Sequence, residues 1–301
     1  MKKLLLPLLC AGLLVAGCGT LSKVAEMGTA VAVATGTITT DQAQSINKSV
    51  QAVDKVFEDI TPEQEYYIGR TVAATILSQD KPFDNQAATD YLNTIGQYLA
   101  LCSTRPETFG GYHFLIMDTA EINAFAAPGG FILVSRGMLK CCRSEEAVAA
   151  VLAHEIAHVE NNHGLKAIDK SRLTSAATIL ATESAKSLGG QELAELTKTF
   201  ENSISDITGT MVNKGYSRQF ESQADKGAVT TLRRAGYDPE GLVSMLTEMG
   251  GHLKPGGKDF SKTHPDPKER IFEVKKLMGT VPGPAPSPVR NQRFIDAMKG
   301  V

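Results

Sequence analysis

Two histidines four residues apart, His154 and His158, bracket a glutamate at Glu155 within the run Val148 to Glu160, whose apolar residues recur as on a helix. Positions i and i+4 share a helix face, so both imidazoles can bind one Zn2+. Glu155 is displaced around the helix beside them, where a carboxylate can take a proton from water activated at the zinc. A chain of 301 residues shows this pattern by chance about once in a hundred cases, so a third ligand is required. A glycine three and a histidine six residues beyond His158 would be one solution. Those positions hold Asn161 and Gly164. His163 is out of step, and is expected to cap the helix end, where an imidazole suits exposed carbonyls and the dipole. The other solution is a carboxylate on a second helix. Glu221 supplies it, and Asp225, one turn further on, faces the same way and can accept the free N–H of a ligating imidazole. Alone, that pair would read as a solvated helix face. With the two histidines it makes a His, His, Glu set with an open fourth position, the catalytic rather than the structural arrangement.

The elements that must position these groups are mostly helical. Spacing predicts a helix over 41–60 and a fresh start at Thr61-Pro62-Glu63-Gln64-Glu65, with Thr61 as N-cap and Pro62 at the first helical position. Further helices are expected over about 61–78, 85–102, 144–162, 165–188, 190–212, 215–235, 239–250 and 265–278. Between Gly110 and Ser144 the pattern changes to strands at 112–117, 123–126 and 131–134, the last two joined by the turn signal Ala127-Pro128-Gly129-Gly130. The expected fold is therefore α+β, a mostly helical domain with a small sheet of three or four strands beside the zinc helix. Val281 to Pro288 is Pro-rich and reads as an extended strap before a short final segment.

The first residues tell a separate story. Lys2 and Lys3 precede an apolar run from Leu4 to Val15, too short to span a bilayer and suited to a signal segment. It ends in Val15-Ala16-Gly17-Cys18, which resembles the bacterial lipobox, where the cysteine is acylated and the peptide is cut before it. Residues 1–17 are thus expected to be a lipoprotein signal, 18–40 a lipid-anchored tether, 41–278 the zinc domain and 279–301 the C-terminal strap. Gly19, by resemblance to enterobacterial lipoproteins, implies the outer rather than the inner membrane, facing the periplasm. With 31 basic and 33 acidic residues there is no basic stripe, so nucleic acid is not an expected partner. Cys102, Cys141 and Cys142 would lie in an oxidising compartment. A bridge within the adjacent pair would be strained, so Cys102 is expected to pair with Cys141 or Cys142; three small buried thiols are the alternative.

The chain resembles the HtpX-like zinc metallopeptidases, a family that includes LoiP-like and BepA-related periplasmic lipoproteins and the membrane-embedded CaaX prenyl peptidases. The resemblance covers about 61–278 and rests on Asn123-Ala-Phe-Ala-x-Pro-Gly-Gly, His154-Glu-x-x-His158, Glu221-x-x-x-Asp225, Ala235-Gly236-Tyr237-Asp238-Pro239, and Thr263-His264-Pro265 with Arg270 following. It implies gluzincin chemistry with one Zn2+ per chain, Glu221 as third ligand, and hydrolysis of peptide bonds, with quality control of envelope proteins as the task. It also implies that Asn123, Ala124 and Phe125 form an edge strand that pairs with an extended protein or peptide substrate, as unpaired main-chain groups allow. The transmembrane helices of the CaaX peptidases and the repeat domain of the BepA-related members have no counterpart here, so the lipid-tethered, LoiP-like form fits best. A chaperone-like or metal-storage lipoprotein is the competing class. Intact Glu155 argues against the first, and six scattered histidines against the second.

His264 is the remaining candidate. Held by Pro265 on the loop that opens the last long helix, it could donate to the oxyanion, latch the resting zinc, or cap the helix.

Overall fold

Short polar side chains start the helices that build the site. Thr61 caps α1 (Pro62–Gln79) in a reciprocal capping box with Gln64. Asn85 caps α2 (Gln86–Cys102), Ser144 caps α4 (Glu145–Glu160) and Ser217 caps α6 (Arg218–Arg234), each accepting from the backbone N–H three residues on. The computed structural model describes residues 33, 39–40, 60–166, 204–205, 207–252, 267–281, 283–285 and 287–301. Cys18, nearly all of the tether, the helix expected over 41–59, nearly all of 167–206 and the loop carrying His264 lie outside the described residues.

The strands are β1 (His113–Met117), β2 (Ala124–Ala127) and β3 (Phe131–Ser135), in the order β1-β3-β2. β2 and β3 form the antiparallel hairpin expected from Pro128-Gly129-Gly130, with Phe125 opposite Leu133. β1 runs parallel to β3, with Phe114 opposite Ile132 and Ile116 opposite Val134. Gly129 has φ 73°, and a Cβ there would lie 2.8 Å from the Tyr66 Cα, so glycine is required on both counts. Side chains alternate between the sheet's faces. Ala124 and Ala126 join a core made with α2 and α4, whereas Phe125 and Ala127 join one made with α1.

α4 is buried from Ala147 to Val159 and, apart from His154, Glu155 and His158, apolar all round, as a central helix must be. α6 and α7 (Glu240–His252) pack on it, and α8 (Pro267–Met278) covers both. At Gly227 an added Cβ would sit 2.6 Å from the Ala157 Cβ, so a missing side chain sets the close approach of α6 to α4. No described helix is long and apolar enough to cross a membrane.

Two helices were not expected. α3 (Arg136–Cys141) follows β3 at once, capped by Ser135, and α5 (His163–Lys166) is a single turn after α4. The final segment is also a helix, α9 (Pro288–Ala297), started by Ser287 and Pro288. It docks on the first turn of α4. Arg293 Nε donates to the fully buried Glu145 at 2.8 Å, Tyr237 donates its O–H to the same carboxylate at 2.9 Å, and Arg290 lies 3.9 Å over the Tyr237 ring. Residues beyond 288 therefore pack against the core of the zinc-site domain.

The expected bridge from Cys102 is corrected: Cys102, Cys141 and Cys142 are free cysteines. Cys142 is buried with its thiol on the Met138 carbonyl at 3.6 Å, and burial pushes that thiol well above its usual range, keeping it protonated. Cys141, one residue earlier on a helix, lines a cavity with Arg136, Lys140 and His252 instead.

Candidate metal centre and active site

α4 and α6 bring the expected ligands together. His154 Nε2 and His158 Nε2 are 3.1 Å apart, and Glu221 offers one oxygen 3.4 Å from His154 and the other 3.4 Å from His158. All three side chains are buried, and their ligand atoms lie within 4.8 Å of one another, a group able to hold a metal ion. Tetrahedral ligands about 2.05 Å from a zinc ion stand roughly 3.3 Å apart, so the donor triangle has the size as well as the chemistry of a zinc site.

The imidazoles are held from behind. His154 Nδ1 lies 3.0 Å from Asp225 Oδ1 and donates to it, the role expected of Asp225. Asp225 is gripped in turn by Arg270 of α8, through Nε at 3.0 Å and Nη2 at 2.6 Å. Burial alone would raise the Asp225 carboxyl, but Arg270 and the hydrogen bond from His154 hold it down at about 2. Arg270 Nη1 also reaches Glu221 at 3.5 Å, so one buried guanidinium serves both carboxylates. The motif contained Arg270, but no role for it followed from sequence, since its partner is 45 residues away.

His163 departs from the expectation that it caps the helix. Fully buried, it places Nδ1 2.9 Å from His158 Nδ1 and Nε2 2.9 Å from the Gln223 carbonyl oxygen, with its ring stacked 4.4 Å from Phe220. The assignment that satisfies both contacts has His158 Nδ1–H donating to His163 and His163 Nε2–H donating to Gln223. This leaves His158 Nε2 for the metal. The position one residue short of the required six, which disqualified His163 as a ligand, is what puts it behind one.

Glu155 is buried beside the triad, with Oε1 lacking a hydrogen-bond partner among the described residues. Burial pushes its carboxyl up to about 7, with Glu221 adding and His154 and Arg270 opposing. A carboxyl so placed suits proton transfer near neutral pH. Tyr216 stacks on His158 at 4.5 Å and was not anticipated from the sequence. β2 packs against α4 as an edge of the sheet, with Asn123 just before it; Asn123 Oδ1 accepts from Ala124 N–H. Phe125 points into the core, so only its main chain is available to a partner strand.

A helix carrying two histidines and a buried glutamate, completed by a carboxylate from a crossing helix, defines a metallopeptidase domain. The model of peptidase family M48 matches residues 86–278, and the chain belongs to that family. It is similar to the putative beta-barrel assembly-enhancing protease of Vibrio cholerae serotype O1, 27% identical over 224 residues, covering 72% of this chain and 44% of the relative. The beta-barrel assembly-enhancing protease of Escherichia coli K12 is 25% identical over 218 residues, 70% of this chain and 42% of that one. The mitochondrial metalloendopeptidase OMA1 of Schizosaccharomyces pombe is 33% identical over 162 residues, 52% of this chain and 43% of that one. The chain thus matches less than half the length of each of these relatives.

Proposed function

We propose that this chain is a zinc-dependent endopeptidase, tethered by lipid on Cys18 to the bacterial envelope, facing the periplasm from the outer membrane and cutting misfolded or misassembled envelope proteins. The observation that carries the catalytic part is the donor triangle of His154, His158 and Glu221 with the buried Glu155 beside it. When bound, zinc supplies Lewis-acid stabilisation of developing negative charge and makes water acidic enough to lose a proton near neutral pH. Glu155 takes that proton as the water oxygen bonds to the scissile carbonyl carbon. It then gives the proton to the departing nitrogen as the C–N bond breaks, leaving a carboxylate and an amine. Asn123, Ala124 and Phe125 hold the peptide extended through main-chain hydrogen bonds along the β2 edge. The lipid tether rests on the Val15 to Cys18 pattern, and the envelope setting also on the names of the bacterial relatives.

Casein cleavage by the purified chain tests this, with and without a chelator and in Glu155→Gln. Glutamine keeps the size but cannot accept the proton, so activity is expected to fall about 100-fold or more with zinc retained. Glu155→Gln activity within about tenfold of wild type overturns the base assignment.

A further inference from the structure

The hydroxyl of Tyr216 is buried at the active site without a hydrogen-bond partner among the described residues. Its ring lies nearly parallel to the His158 imidazole, at 22° and 4.5 Å, which fixes where the hydroxyl sits. A side chain at residue 164 would come 3.6 Å from that hydroxyl and 3.3 Å from Pro128, the residue that follows β2. Glycine there leaves the space clear. The hydroxyl therefore lies close to residue 164 and to Pro128 at the end of β2, with its ring held on the metal-binding His158. Glu155 Oε1 is likewise buried and unpartnered among the described residues. Such atoms are normally satisfied, and a bound substrate and its attacking water would satisfy both.

Peptide hydrolysis places negative charge on the attacked carbonyl oxygen, and a fixed donor at that point lowers the barrier. We propose that Tyr216 is a catalytic residue that donates its O–H to that oxygen as the charge develops. This rests on the metallopeptidase reading above. The proton stays on Tyr216 throughout, since the hydroxyl donates a hydrogen bond and transfers nothing. His264, the donor considered from the sequence, lies outside the described residues, and Tyr216 needs no contribution from it.

Tyr216→Phe keeps the ring on His158 and removes only the O–H. On a fluorogenic peptide, kcat is expected to fall about 100-fold while KM changes by less than about threefold. Zinc affinity, read by competition with a chromophoric chelator, stays at the wild-type value. A phosphinic peptide carries the tetrahedral oxyanion permanently, so its affinity should drop by the same factor as kcat/KM. A kcat within about threefold of wild type overturns the proposal. So does a lower kcat accompanied by weaker zinc binding, which would make Tyr216 a platform for His158. Wild-type chain that holds zinc but cleaves nothing overturns the metallopeptidase reading, and this proposal with it.

Discussion

His154 and His158 sit one turn apart on the same helix, yet they are held by opposite kinds of partner. Behind His154 stands a charged pair, Asp225 and Arg270, on two other helices. Behind His158 stands a neutral relay, His163 and then Gln223, wedged against Phe220. A carboxylate behind an imidazole orients it and makes it a stronger donor to the metal; a neutral acceptor mainly orients it. α6 serves both sides, supplying Glu221 to the triad, Gln223 to one mount and Asp225 to the other. The charged mount thus carries metal affinity and depends on the chain closing over distance. The neutral mount carries geometry and starts just past the end of the zinc helix, with His163 on α5 and Gln223 and Phe220 on α6.

The largest effect that would sharpen this contrast comes from Arg270. Arg270→Met leaves Asp225 and Glu221 buried without their guanidinium, and should destabilise the apo protein by about 3–5 kcal/mol in urea unfolding. A loss under about 1 kcal/mol would mean that the charged mount is not the buried, mutually compensated network described. Next comes Asp225→Asn, expected to weaken zinc binding about 100-fold in a chelator competition. His163→Ala should weaken it less, about tenfold, and His163→Gln, which restores an acceptor for His158, should recover part of that loss. Equal losses at Asp225 and His163 would erase the distinction between the mounts. The smallest effect belongs to the exposed pair Arg143 and Glu248, remote from both mounts, where Arg143→Ala should change stability by no more than about 0.5 kcal/mol.

The same contrast explains what was legible in the sequence. Interactions local in the chain were readable: the i, i+4 placement of His154 and His158, the matching step from Glu221 to Asp225, the Thr61 cap and the Pro128-Gly129-Gly130 hairpin. Each depends on a helix or turn repeat that a short window contains. The short α3 passed unnoticed because one and a half turns give no clear periodicity, and α9 because prolines dominate the residues before it. Partnerships across the chain were not readable. Arg270 finds Asp225, Tyr216 lies on His158, and Gly227 meets Ala157 only after α4, α6 and α8 have packed. His163 was visible as a residue but misjudged in role, since its bond to His158 depends on the chain turning at Asn162, which takes a positive φ of 52°. The three cysteines show the opposite error. Spacing in the chain suggested a bridge, but the Cys142 thiol rests on the Met138 carbonyl, Cys141 lines a cavity, and Cys102 is free.

The central claim is that His154, His158 and Glu221 together hold one zinc ion, although Cys102, Cys141 and Cys142 are free among the described residues. X-ray absorption at the zinc edge of the purified protein tests it most directly. The account predicts one zinc per chain in a shell of nitrogen and oxygen at about 2.0–2.1 Å, with the imidazole signal of two rings falling to that of one in His158→Ala. A sulfur shell at about 2.3 Å, or an imidazole signal untouched by that substitution, would contradict it.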